Sequence, residues 1–103
     1  MAYADALMKS GNPELAAEKL TLLSQERPND QFVWYILAEA QGLSNNIVGV
    51  HEARAEYFVR VGNFDQAIKQ LGFATPLVKN NFQQSAKIKQ RIEEIFELKA
   101  QRT

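Results

Sequence analysis

A ten-residue phrase that occurs twice constrains this chain more than any other feature. Residues 11–20 read GNPELAAEKL and residues 62–71 read GNFDQAIKQL. Each copy opens with Gly-Asn, places an alanine five residues after the glycine and a leucine nine residues after it. The pattern is typical of a helix-turn-helix unit that is used more than once. It predicts a repeat array, and the usual work of such arrays is to bind other proteins.

Helical spacing of apolar residues runs through the rest of the chain, and no segment shows the strict alternation of a half-buried strand. We predict six helices, joined by turns short enough to make neighbours antiparallel. Their expected bounds are about 2–10, 13–26, 31–43, 47–61, 64–78 and 82–100. Their expected N-caps are Asn12, Asp30, Asn63 and Asn81, with Gln66 and Gln84 at capping-box positions.

The inner face of each helix follows from the same spacing. The predicted core residues, in chain order, are Leu15, Ala16, Leu20, Leu22, Leu23, Trp34, Leu37, Phe64, Ala67, Ile68, Leu71, Ala74, Val78, Ile88, Ile92, Ile95, Phe96 and Leu98. The apolar residues of the fourth helix are Val50, Ala53, Ala55, Tyr57, Phe58 and Val61. Pro76 lies near the end of the fifth helix, where its ring crowds the carbonyl of Gly72. We expect a kink or early fraying there rather than a clean break at residue 72.

The distance between the two Gly-Asn phrases raises a question of register. They lie 51 residues apart, which is three helices of about 17 residues rather than a whole number of helix pairs. The fourth helix forms a pair with the third. Its position just before Gly62 also makes it the first helix of the unit that contains the second Gly-Asn phrase. This predicts an irregularity in the array between residues 44 and 61.

Composition excludes several classes of protein. The chain has 103 residues, enough for one compact domain, and its 12 basic and 12 acidic residues cancel, so net charge favours neither nucleic acid nor a membrane surface. Residues 1–56 carry a net charge of −4 and residues 57–103 a net charge of +4. Two interpretations of this difference stay open: ordinary charge scatter and a functional polarity. The absence of cysteine excludes disulfides and thiolate metal sites. No apolar run approaches the ~20 residues of a membrane span, and no signal peptide is visible.

The order of aromatic, small and large apolar residues resembles the tetratricopeptide repeat. Trp34-Tyr35-x-Leu37-Ala38 matches the first helix of that repeat, and Pro28 matches its terminating proline. The phrases at residues 11 and 62 match its turn and second helix. The resemblance covers nearly the whole chain. It implies an all-α solenoid of antiparallel helix-turn-helix repeats forming a single domain over residues 1–103.

A narrower resemblance rests on the residues between the two phrases. Residues 37–43, 50–58 and 62–68 look like the C-terminal repeat domain of bacterial beta-barrel assembly-enhancing proteases. These are periplasmic zinc metalloproteases with an N-terminal HExxH domain. The resemblance implies that the chain is the non-catalytic C-terminal tail of such an enzyme. It also implies a periplasmic location, outer-membrane proteins or their assembly machinery as partners, and a first helix cut from a longer array.

The chain itself offers no catalytic, metal or cofactor-binding set. His51-Glu52 resembles the start of an HExxH zinc motif, but that motif needs a second histidine four residues later, and residue 55 is alanine. His51 is the only histidine, so no Ser/His/Asp set is spaced suggestively. The five glycines are scattered rather than gathered into a phosphate-binding loop. We therefore predict no enzyme activity and no cofactor for this chain, and no nucleic-acid partner.

What remains is surface for a protein or peptide partner. In tetratricopeptide repeats the first helix of each pair lines a groove that can hold an extended segment or a helix. The resemblance implies that this groove is lined by Asp5, Met8, Lys9, Tyr35, Glu39, Glu52, Glu56 and Arg60. Two functions remain open. One is the interaction module of a periplasmic protease with chaperone activity, and the other is a free-standing adaptor unrelated to proteolysis.

Overall fold

A computed structural model describes residues 11–102 of the chain. The helix predicted at residues 2–10 lies outside the described residues. Within them, every regular element is helical, so the predicted all-α class is confirmed. The elements are α1 (Pro13–Glu26), α2 (Gln31–Leu43), α3 (Ile47–Arg60), α4 (Phe64–Ala74), a 3₁₀ turn (Thr75–Val78) and α5 (Phe82–Arg102).

The helices pack in chain order as antiparallel hairpins. α2 lies between α1 and α3, α4 packs on the other side of α3, and α5 packs on α4 and the 3₁₀ turn. The molecule measures 42 × 32 × 19 Å, so its thickness is that of about two helices. The fold is therefore a flat, two-layered array of helix-turn-helix units, as expected for an antiparallel helical repeat.

The Gly-Asn phrase has a clear structural reason. Gly62 has a φ of +81°, a left-handed conformation that glycine adopts without strain, and it ends α3 in a Schellman motif. Its own N–H donates to the Val59 carbonyl, and the N–H of Asn63 donates to the Phe58 carbonyl. Asn63 then caps α4 by accepting a hydrogen bond from the N–H of Gln66. Two adjacent residues therefore end one helix and start the next.

Only one of the two hydrogen bonds of each predicted capping box forms. Asn63 and Asn81 accept hydrogen bonds from the backbone of Gln66 and Gln84, as predicted. The glutamine side chains do not return the bond, because the N–H groups of both asparagines already donate to carbonyls of the preceding turn.

The same turn occurs a third time with a different sequence. Asn45 has a φ of +63°, and Asn46 caps α3 by accepting from the N–H of Gly49. This turn follows the one at Gly11 and Asn12 by 34 residues, which is the period of tetratricopeptide repeats. The turn at Gly62 lies 17 residues further on, between repeats. A third turn that uses asparagine therefore accounts for the 51-residue spacing without the irregularity that was predicted between residues 44 and 61.

Two apolar clusters hold the layers together. The first joins α1, α2 and α3 through small residues that let the helices approach closely, with Leu20 and Leu37 as its large members. The second joins α3, α4 and α5 around Phe64, Leu71 and Ile95. α3 contributes Ala53 to one cluster and Ala55 to the other. It is therefore the central helix of the described fold.

Pro76 acts as predicted. α4 keeps its α-helical form through Ala74 and then tightens into the 3₁₀ turn that contains the proline. Proline has no N–H to donate to the Gly72 carbonyl, so the α-helical pattern stops just before it, with the Thr75 N–H donating to the Leu71 carbonyl. There is no break at residue 72.

Two predicted core residues, Leu22 and Phe96, are wrong, and the apolar Val61 is exposed as well. Leu22, Val61 and Phe96 have 54%, 42% and 53% of their surface exposed. On α1 the buried positions are Ala16, Ala17, Leu20 and Ser24, a stripe that excludes Leu22. Val61 is the cap residue that follows the last residue of α3, and Phe96 follows the buried Ile95 on the exposed side of α5.

Candidate protein-binding grooves

The residues predicted to line one groove lie along two. Tyr35 and Glu39 line a groove between α2 and α3, whereas Glu52 and Glu56 line a second groove on another side of α3. Arg60 stands beside the second groove, bonded to Glu56. Asp5, Met8 and Lys9 lie outside the described residues.

The first groove, which we call the tyrosine groove, has a volume of about 330 Å³. Tyr35 is 58% exposed and meets Tyr57 edge to face, with ring centroids 5.7 Å apart, and Tyr57 meets Phe58 in the same way at 5.6 Å. Such contacts hold the rings in place before any partner arrives. The groove is lined by Tyr35, Ala38, Glu39, Arg54, Tyr57 and Phe58.

The charges of the tyrosine groove are free to contact a partner. Glu39 and Arg54 are both exposed, and neither belongs to an ion pair of the described chain. The groove therefore offers aromatic faces together with one acidic and one basic group, which suits an extended segment with polar and apolar side chains.

The second groove, which we call the glutamate groove, is larger, at about 480 Å³. Glu52 and Glu56 of α3 form part of its lining, and their i, i+4 spacing puts both on one helix face. α1 and α2 contribute uncharged side chains, and α5 contributes charged ones. The groove is lined by Thr21, Ser24, Gln25, Trp34, Leu37, Gln41, Gly49, Glu52, Ala53, Glu56, Leu71, Lys87, Ile88, Gln90, Arg91 and Glu94.

Glu56 is the centre of an ion-pair network along this groove. Arg91 donates from Nε and Nη2 to its two carboxylate oxygens, each at 2.8 Å, and Arg60 donates to it from the following turn of α3. Arg91 also pairs with Glu94 at 3.1 Å. This two-bond fork is the strongest common geometry between arginine and a carboxylate, and it fixes α5 against α3.

The pKa values of Glu52 and Glu56 are shifted in opposite directions. Burial raises the pKa of Glu52; the positive charge of Lys87 opposes this and the negative charge of Glu56 adds to it. Burial acts on Glu56 in the same way, but the hydrogen bonds and charges of Arg91 and Arg60 outweigh it and lower its pKa. Glu56 is thus a satisfied structural carboxylate, whereas Glu52 is a partly buried one without a hydrogen-bond partner in the described chain.

Trp34 and Arg60 tie the loop between α1 and α2 to the same network. Both side chains donate to the Pro28 carbonyl, from Trp34 Nε1 at 2.9 Å and Arg60 Nε at 2.7 Å. The Arg60 guanidinium also lies over the Trp34 ring, 4.9 Å from its centroid, in a cation–π arrangement. A single arginine therefore holds the loop, the tryptophan and Glu56 together.

His51 lies apart from both grooves. Its Nδ1 is 2.8 Å from Gln70 Oε1, and its ring packs against Phe73 at 5.5 Å between centroids, so it connects α3 to α4. Residues 11–102 contain no group of three or more histidine, aspartate or glutamate side chains that could hold a metal ion. Within the same range no helix is both long and apolar enough to cross a membrane.

Sequence reasoning missed three residues that shape the grooves. Arg91 is absent from the predicted core and groove residues, yet it turns inward to Glu56. Trp34 was expected in the core, and it is only partly buried because its indole faces the glutamate groove. Arg54 carried no prediction, and its place beside Glu39 depends on how α2 and α3 pack.

The fold and its grooves define an all-α helical-repeat domain of antiparallel helix pairs. No protein-family model matches the chain. Over 95 residues, 92% of its length, it is 34% identical to proteins named beta-barrel assembly-enhancing protease from Escherichia coli K12, Shigella flexneri and Escherichia coli O157:H7. The resemblance to these proteases predicted from the sequence is therefore confirmed. The chain spans about a fifth of the length of these relatives, since the match covers 20% of each.

Proposed function

We propose that this chain is the protein-binding repeat region of a periplasmic protease that acts in the assembly and quality control of outer-membrane β-barrel proteins. The observation that carries the proposal is the match of 92% of the chain to 20% of proteins named for enhancing beta-barrel assembly. A segment of that size is a part of a protease, and the rest of such a protein supplies the proteolytic chemistry.

In this proposal the chain is the C-terminal, non-catalytic part of a longer protein with an HExxH zinc domain on its N-terminal side. The lining of the two grooves supports a binding role: it contains aromatic rings and ion pairs, but no nucleophile paired with a base. The partners would be outer-membrane proteins or their assembly machinery.

The tyrosine groove is our proposed contact surface. Tyrosine offers a large, rigid face and a hydroxyl, which is why it is enriched among residues that dominate binding energy. Tyr35 is exposed but held in place by Tyr57, and Glu39 lies one turn further along α2. An extended segment that crosses the groove would stack on Tyr35 and reach the charges of Glu39 and Arg54.

The test uses the full-length parent protein with Tyr35→Ala and Glu39→Ala together. We expect capture of outer-membrane β-barrel proteins to fall by at least tenfold, since loss of a central aromatic contact costs about 2 kcal/mol or more. The matched control replaces Gln83 and Lys89 with alanine, because both are exposed on α5 and line neither groove.

Unchanged capture by the groove variant, with an unchanged helical circular dichroism spectrum, would remove the tyrosine groove from the proposal. Capture that is lost equally in the control variant would mean that the substitutions act through stability rather than contact. The gene sequence around this segment tests the wider claim, since a parent without an HExxH helix would contradict it.

A further inference from the structure

The glutamate groove contains a charged group that the fold itself leaves without a partner. We propose that this groove binds a peptide segment in which a lysine or arginine stands between apolar residues, with the cationic side chain pairing to Glu52. This site is separate from the tyrosine groove and does not depend on the function proposed for it.

The first step is the state of the other charges in the groove. Glu56 accepts hydrogen bonds from Arg91 and Arg60, and Arg91 also pairs with Glu94. Two carboxylates and two guanidinium groups therefore neutralise one another. Glu56, Arg60 and Arg91 are bonded to one another, and the half-exposed Glu94 pairs with Arg91 through one of its two oxygens.

The second step is the state of Glu52. It is partly buried, it makes no hydrogen bond, and no cation of the described chain lies within ion-pair distance. Lys87 acts on it only at longer range and is itself exposed, so water can solvate the ammonium group. A partly buried carboxylate gains from a charge-assisted hydrogen bond, and no side chain of the described residues supplies one to Glu52.

The third step is the shape and chemistry of the walls. The volume of about 480 Å³ falls within the ~300–1,000 Å³ of ordinary ligand sites. Trp34, Leu37 and Ile88 supply apolar surface on either side of Glu52. An arginine or lysine can lay its aliphatic stem along such surface while its charged end reaches the carboxylate. Thr21, Gln25 and Gln41 add uncharged hydrogen-bonding groups for a peptide backbone.

Charge distribution selects a cation over a zwitterion or an anion. α1 and α2 present no charged side chain to the groove, so the charged neighbours of Glu52 are Glu56 on its own helix and Lys87, Arg91 and Glu94 on α5. With the ion pairs set aside, Lys87 is the one groove charge that opposes a cationic ligand. Its removal should therefore strengthen binding, which distinguishes this proposal from a site that uses both charges.

The experiment presents a synthetic pool of random nonapeptides to the chain and to its Glu52→Gln variant, and identifies the retained peptides by mass spectrometry. We expect lysine and arginine to be enriched, next to apolar residues, among peptides retained by the wild type and not by Glu52→Gln. Retention without that enrichment, or no retention at all, would overturn the proposal.

Individual peptides from the retained set then give affinities. Trp34 is the only tryptophan in the chain and lines the groove, so its fluorescence reports occupation directly. We expect Glu52→Gln to weaken binding about tenfold or more, since a hydrogen bond between charged groups is lost. Replacing the peptide lysine with norleucine should weaken binding to the wild type by a similar factor and leave binding to Glu52→Gln nearly unchanged.

The Lys87→Gln variant is expected to change the affinity in the opposite direction to Glu52→Gln. We expect it to strengthen binding several-fold, whereas weaker binding would show that the ligand uses Lys87 and would contradict the cationic assignment. The pKa of Glu52 is raised, so the carboxyl group is protonated at a higher pH than usual. As the pH falls, affinity for the cationic peptide should therefore decline at a pH above the ordinary pKa of a glutamate. Tyr35→Ala should bind these peptides as the wild type does, which separates this result from failure of the tyrosine groove.

Discussion

Replacing Arg91 with glutamine tests whether the ion-pair network holds α5 on the rest of the fold. The guanidinium donates two hydrogen bonds of 2.8 Å to the carboxylate of Glu56, from a position 35 residues further along the chain. The side chain of Glu56 is 17% exposed and that of Arg91 is 28% exposed. Glutamine removes the charge and the fork, yet keeps a polar side chain on a helix where it is well tolerated.

The size of the effect follows from what remains around Glu56. Hydrogen bonds to charged groups contribute about 1.5–3 kcal/mol, and breaking a buried pair costs about 3–5 kcal/mol. Arg60 still pairs with Glu56 in the variant, and solvent reaches part of the site, so the loss is smaller than for full burial. We expect the free energy of unfolding at pH 7 to fall by about 2 kcal/mol, which lowers the Tm by roughly 8–16 °C.

The pH dependence carries a sign that can be checked. Burial alone would raise the pKa of Glu56, but Arg91 and Arg60 lower it overall from its ordinary value of 4.5. A carboxyl group with a lowered folded-state pKa contributes stability above the unfolded-state pKa, and the contribution is lost as pH falls through the folded-state pKa. The difference between wild type and Arg91→Gln should therefore be complete at pH 7 and shrink as the pH falls below about 4.5.

Urea unfolding followed by far-ultraviolet circular dichroism, from pH 7 down to pH 3, measures both quantities. Lys89→Gln is the matched control, because Lys89 is exposed on the same helix and takes part in no ion pair among the described residues. Equal stability of Arg91→Gln and wild type at pH 7 would refute the reasoning. So would a stability difference that stays constant below pH 4.

Three further comparisons, all measured by chemical denaturation, test other parts of the structure. Leu20→Ala should lower the free energy of unfolding by about 2–5 kcal/mol, because Leu20 is buried between α1 and α2, whereas Leu22→Ala should change it by less than about 0.5 kcal/mol. Gly62→Ala should lower it by about 1–2 kcal/mol through its left-handed φ, whereas Gly72→Ala, in open helical surface, should not lower it. Glu52→Gln should raise it at neutral pH, because a raised pKa means that the charged form opposes folding. That gain should disappear as pH falls below the unfolded-state pKa of about 4.5; no gain at pH 7 would contradict the assignment.

The sequence predicted the helices well because their signals are local. Asparagine caps, a left-handed glycine and a proline act within a few residues, and the structure shows each of them at Asn12, Gly62 and Pro76. The turn at Asn45 and Asn46 was not recognised as an equivalent of the glycine turns. Asparagine also visits the left-handed region, and a search for Gly-Asn alone cannot detect it.

The arrangement of the grooves could not be predicted from local sequence patterns. Helical periodicity places Glu52 and Glu56 on one face of α3, but it does not tell which neighbouring helix that face meets. The answer depends on the packing of α5, whose Arg91 lies 35 residues away in sequence. For the same reason Tyr35 and Glu56 were assigned to one groove, although α3 has a groove on two of its sides.

The uneven charge of the chain acquires a physical role in this arrangement. The acidic first half supplies Glu52 and Glu56, and the basic second half supplies Arg60, Lys87 and Arg91, so α5 brings positive charge to the acidic face of α3. Without α5, Glu52 would lose the positive charge of Lys87, and Glu56 would lose Arg91 and keep Arg60. α5 is thus an electrostatic wall of the glutamate groove as well as the cover of the second apolar cluster. Any functional interpretation of the charge asymmetry in the glutamate groove must begin from the two groups that these ion pairs leave unpaired, Glu52 and Lys87.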